Sequence, residues 1–264
     1  MRMKTEKMIR QQARDAMKGN LSKLIAALGF AALTFLTIEY VEYLVLHLTG
    51  AINYESGEAY NSGSTLYVGI VSAYVFAVLF LSPLLNGYIK TAANTALNKK
   101  CGSTDLFFYF KGAGRYFKTV LYNFLLLMLY YFVSGALNLS GWLNAFFHSW
   151  FTQAPAWNID TFLIVLAGVV TVFIRVLIFM LFVHYPLMAK ALNDNIGVRD
   201  GVFAMLGFSF KNFRHIFKLA FSYIGWFALC FFVVPAIYVI PYFSVAALTS
   251  AKWLFAMDKR GGGI

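Results

Sequence analysis

The sequence predicts an all-α, polytopic transmembrane helical bundle: six spans, cytoplasmic interfacial amphipathic helices, and a candidate threefold repeat of helix hairpins. Three observations carry that reading. The 264-residue chain is 60% hydrophobic, 19% aromatic and only 12% charged, with a mean hydropathy of +0.68, a balance that does not describe a water-solvated surface. Apolar runs recur at about the 20-residue length that crosses roughly 30 Å of hydrocarbon. The basic residues keep to alternate connections between those runs.

The six runs cover about 24–46, 66–89, 119–139, 161–189, 216–234 and 241–257. The second is the cleanest, with no Asp, Glu, Lys, Arg or His. The sixth is the shortest, and Pro235 and Pro241 are expected to bracket a short turn before it. The basic N-terminal segment is too long for a signal peptide, and the apolar run continues past Ala31 and Ala32, so it reads as a retained first span. The whole of 1–264 reads as one membrane domain. Within it, 1–23 is a cytoplasmic basic amphipathic segment, and 90–118 and 190–218 are cytoplasmic interfacial loops.

A formal net charge of +11 raises nucleic acid as a partner, and the placement of the charge argues against it. Of the 22 basic residues, all but Arg175 fall in the N-terminal segment, between spans two and three, between spans four and five, or near the C-terminal end. The intervening loops, 49–65, 140–160 and 234–241, hold none, whereas Glu55, Glu58 and Asp160 fall there. The positive-inside rule then places both termini in the cytoplasm, and a five-span chain would strand Lys259 and Arg260 outside. Cys101, in a cytoplasmic loop, and Cys230, inside span five, imply no disulfide framework.

Before each odd-numbered span lies a segment of mixed charge at helical spacing. Ile9, Ala13, Ala16, Met17 and Leu21 form one stripe, with Lys7, Arg10, Arg14 and Lys18 on another. In the second segment Ser103 or Thr104 caps, Asp105 sits in the first turn, and Leu106, Phe107, Phe110 and Phe117 share a face. The third runs through Val198, Val202, Met205, Leu206 and Ser209. A basic phrase then marks the elbow where the chain turns into the span, "KGNLSK", "FKGAGRYFK" and "FKNFRHIFK", with aromatics such as Phe110, Tyr116, Phe117, Phe210, Phe213 and Phe217 in the second and third. Gly19, Gly112 and Gly114, or Asn212, permit the bend. Lys18, Lys23, Lys111, Arg115, Lys118, Lys211, Arg214 and Lys218 are the candidate contacts to lipid headgroups. The period is about 93 to 100 residues, and convergent elbow chemistry would produce the same phrase without a repeat.

Laid out this way, the chain resembles the bacterial integral membrane family designated domain of unknown function 975. The likeness is carried by "ARDAMKGNLSKLI", "STDLFFYFKGAGRYFK", "GVFAMLGFSFKNFRHIFKLAFSYIGWFAL" and "IPYFSVAALTSAKWLF", and is least over 141–158. It implies a multi-span bacterial plasma-membrane protein and brings no substrate, cofactor or catalytic residue.

No catalytic, cofactor or metal constellation is read from the residues. His47, His148, His184 and His215 share no helical face with an acidic partner. Asp194 and Asp200 in "NDNIGVRD" lack the other acidic positions of a calcium loop, and the glycines of "KGAGR" lack a nucleotide phosphate-loop pattern. Glu39, Glu42 and Arg175 are the candidate intramembrane charges. The leading expectation is a non-enzymatic module holding anionic lipid and associating with other membrane proteins. A small transporter with a polar path near Glu39, Glu42 and Arg175 is the alternative, and an intramembrane enzyme comes third.

Overall fold

The computed structural model describes residues 6–51, 65–99, 101–137, 171, 174–175, 177–192, 197–223, 225–226 and 233–260; no strand occurs among them. Among the described residues these α-helices are bounded, in chain order: α1 (Glu6–Met17), α2 (Leu21–Leu48), α3 (Thr65–Leu81), α4 (Pro83–Ala96), α5 (Ala113–Ala136), α6 (Tyr185–Leu192), α7 (Val198–Lys211), α8 (Phe213–Phe221) and α9 (Val233–Arg260). Among the described residues, four helical stretches are long and apolar enough to cross a membrane: Leu21–Leu48, Thr65–Ala96, Ala113–Ala136 and Pro235–Ala256. Most of span four and the middle of span five lie outside the described residues.

The chain divides into two compact units, Met1–Asn123 with Gly225–Ser250 and Phe124–Ile224 with Ala251–Ile264. The first is organised around α4, where almost every residue from Asn86 to Ala96 is buried. Helices α1 and α2 pack against it, as do two single-turn 3-10 helices, Ser103–Asp105 and Phe108–Phe110. Ile9, Ala13 and Met17, spaced four apart, bury the apolar stripe of α1, while Lys7, Arg14 and Lys18 stay exposed. By contrast α3 buries no residue fully, and α2 exposes Leu33, Leu36, Tyr40 and Leu48. Apolar side chains so displayed require a hydrocarbon solvent or a covering partner.

Two elements differ from the sequence expectation. The second amphipathic segment forms no interfacial α-helix: two 3-10 turns replace it, and α5 begins at Ala113, inside the expected elbow. The cause lies in Asp105, whose carboxylate accepts the Gly102 N–H and the Asn94 amide, closing a tight turn against α4. The turn expected over 234–241 is also helical, because α9 runs through Pro235 and Pro241. Pro235 sits in the first turn, where no intrahelical donor is required; Pro241 forfeits one backbone bond inside a helix whose residues 241–251 are all buried.

In the second unit α6 is almost wholly buried and packs against α7. A π-helical turn, Met180–His184, precedes it, with Tyr185 N–H donating to Met180 O. Pro186 cannot donate to the carbonyl four residues back, and the widened turn ends at His184, two residues before it. Phe208 stacks on Phe255 at 4.2 Å between ring centroids, and Phe182 meets Phe210 edge-on.

Candidate functional site

Each elbow opens a helix through one residue's carbonyl. Asn20 O accepts Leu24 N–H at 3.1 Å, Gly112 O accepts Tyr116 N–H at 3.1 Å, and Asn212 O accepts Ile216 N–H at 3.1 Å. Gly19 (φ +81°) and Gly112 (φ +94°) occupy the left-handed region that a Cβ disfavours. The third elbow has no glycine: Asn212 keeps φ at −101°, and its side-chain amide donates to Phe208 O. Aromatic side chains stand exposed beside the turns, Phe117 at 59% and Phe210 at 52%.

All eight candidate headgroup cations are exposed, but the chain itself engages several. Lys18 pairs with Asp15 at 2.7 Å on the surface. Lys23 Nζ donates to Cys101 O at 3.0 Å, tying the start of α2 to the second interfacial segment. The Arg115 guanidinium lies 4.4 Å from the Phe108 ring centroid and donates to Phe108 O. Lys111, Lys118, Arg214 and Lys218 have no acidic partner among the described residues, and Lys211 is engaged elsewhere.

The second elbow is docked closely on α4. A Cβ on Gly87 would lie 1.8 Å from Leu106 O, so only glycine lets that backbone through. Cys101, although it lies in a connection between helices, is 6% exposed; its Sγ lies 3.1 Å from Thr95 Oγ1 and donates to Thr91 O. The reason is the same docking. Lys90 Nζ lies 5.0 Å from the Phe108 ring centroid, so an α4 lysine and an α5 arginine share one ring.

Glu39 and Glu42 stand three apart on α2, the first exposed and the second partly buried. Arg175 is partly buried, belongs to the other unit and does not lack a partner. Asp194, His148 and Cys230 fall outside the described residues. Among the described residues no three His, Cys, Asp or Glu side chains converge as metal ligands would.

Sequence reading missed a buried polar set within the first unit. Asn123 donates to Ser82 Oγ at 2.7 Å, and Tyr88 OH donates to Ser244 Oγ at 3.1 Å, 156 residues along the chain. Ser, Asn and Thr at helical spacing within an apolar run were the available signal, since polar groups inside such a helix seek partners. No protein-family model, curated protein or solved structure matches the chain.

Proposed function

We propose that the chain is a six-span bacterial plasma-membrane protein with both termini cytoplasmic, whose basic elbows hold anionic lipid and which serves other membrane components as a non-enzymatic accessory module. The observation that carries this reading is the shared construction of the elbows. In each, one residue's carbonyl opens the next helix and exposed cations stand at the turn, and at the second and third elbows exposed aromatic rings stand beside them. Lysine and arginine stems reach phosphates while rings settle at headgroup depth. The likeness to domain of unknown function 975 and a threefold repeat belong to the same proposal. Elbows opening at Asn20, Gly112 and Asn212 support the repeat without needing like sequences between them. The transporter reading draws less support, because Glu39 is exposed among the apolar side chains of α2.

The test is to purify the full chain and its Lys111→Gln/Lys118→Gln/Lys211→Gln/Lys218→Gln variant and to quantify copurified lipid. Enrichment of anionic over zwitterionic lipid is expected to fall in the variant, since each basic residue near an anionic surface contributes about 1 kcal/mol. Unchanged enrichment would reject the reading.

A further inference from the structure

We propose that Glu39 marks a docking face on the middle of α2 for a transmembrane helix of another membrane protein, one that carries a lysine or arginine near its own middle. The proposal gives the accessory reading above its partner, and rests on the elbows for their depth alone. Two contacts within the first unit set that depth. Phe30 meets Phe107 of the second interfacial segment at 5.6 Å between ring centroids, which puts Phe30 at the cytoplasmic headgroup level. At the other end α2 stops at Leu48, where Leu46 and Ala51 pack with Tyr67 and Ile70 near the start of α3. From Phe30 to Leu48 the helix rises about 27 Å, close to the roughly 30 Å of a hydrocarbon core. Glu39 is halfway, about 14 Å from either end.

Among the described residues Glu39 is exposed and makes no hydrogen bond or ion pair. Leu33, Leu36, Tyr40 and Tyr43, three or four residues apart, are exposed along the same stripe. Helix α3, packed beside α2, carries no Asp, Glu, Lys, Arg or His. A short glutamate stem does not reach headgroups about 14 Å away, as a long basic side chain near a helix end does. A charge at the midplane is at its costliest depth, and such groups pair with one another. The complement of this face is therefore an apolar helix with one cation level with Glu39. A second copy meeting it about a twofold axis along the membrane normal would set Glu39 against Glu39, like charge on like. Arg175, the basic residue centred in an apolar run, already has a partner. The cation comes from a different protein.

The experiment places the full chain, fused at its N-terminus to a fluorescent protein, in phosphatidylcholine vesicles and reads energy transfer to labelled leucine-rich transmembrane peptides of about twenty residues. One peptide carries a central lysine, one carries it about two turns off centre, and one has no lysine inside the span. The central-lysine peptide is expected to bind at least about tenfold more tightly than either of the others. Glu39→Gln should bring it down to the plain peptide, and Glu39→Lys should transfer the preference to a peptide with a central glutamate. Yield and thermal unfolding check each variant; should Glu39→Lys fail to insert, Glu39→Gln carries the test. Equal binding of the three peptides overturns the face, as does binding that survives Glu39→Gln or follows the off-centre lysine. Self-association of the full chain that Glu39→Gln abolishes overturns it too, by giving the face to a second copy. The four-lysine variant separates the two readings, because it should keep the peptide while losing anionic lipid. Unchanged lipid enrichment with peptide binding intact would sink the elbow reading and leave the face standing.

Discussion

Asn123 on α5 donates its side-chain amide to Ser82 Oγ across 2.7 Å, at the residue that separates α3 from α4. Pro83 cannot donate to Leu79 O, and the Ser82 hydroxyl donates there in its place at 2.7 Å. Tyr116 OH donates to Phe80 O one residue further along. Leu79 O also accepts the Ser82 N–H at 3.2 Å, so groups at the break and from α5 together keep these carbonyls bonded. Ser82→Ala and Asn123→Ala should each destabilise by about 0.6 to 1.7 kcal/mol, the range for hydrogen bonds between membrane helices. A double-mutant cycle on unfolding in detergent should show positive coupling; strictly additive effects would disprove the repair.

Gly87→Ala sets two effects against each other. Alanine favours an exposed helix interior by about 1 kcal/mol over glycine. Here its Cβ would meet the Leu106 carbonyl at 1.8 Å, and backbone cannot swing aside as a long side chain does. Overpacking costs about 1 to 3 kcal/mol and should win. The variant should melt lower, and the Cys101 thiol should become accessible as the segment lifts from α4. A thiol as protected as in the parent protein would show that the docking survives.

Topology can be read with thiol chemistry, though not through Cys101 itself, which is buried and hydrogen-bonded. In a Cys101→Ser/Cys230→Ser background, Lys111→Cys introduces an exposed thiol at the second elbow. An impermeant maleimide should leave it unlabelled in sealed right-side-out vesicles and label it after permeabilisation. Labelling from outside would reverse the proposed orientation.

Glu39 is exposed on α2 beside the exposed apolar side chains Leu36, Tyr40 and Val41, so Glu39→Leu should not destabilise the fold, because it replaces a carboxylate with a side chain that suits that apolar face. Thermal unfolding in detergent measures it. A loss of several kcal/mol would instead mark a carboxylate that holds a desolvated charge, and would revive a polar path past Glu39 and Glu42.

Composition and periodicity by themselves determined that the chain is helical and apolar and roughly where its first three apolar runs lie, but neither the break at Ser82 that ends α3 nor the start of α5 at Ala113. The legible features depend on local quantities: side-chain transfer from water and helical spacing. Only the tertiary structure decided that Asp105 closes a 3-10 turn, because its partner Asn94 is on another element. Tertiary contacts likewise bury Cys101, bring Lys90 and Arg115 to one ring, and pair Tyr88 with Ser244. The last apolar run shows the difference most clearly. It reads as marginal in the sequence because it is short and bracketed by Pro235 and Pro241, yet its Ser244, Thr249 and Ser250 are all buried. Small and weakly polar residues let helices approach closely and bond across the gap, so within an apolar bundle they mark an interior helix. Which neighbours make that approach is a property of the packed chain, and no window along the sequence contains it.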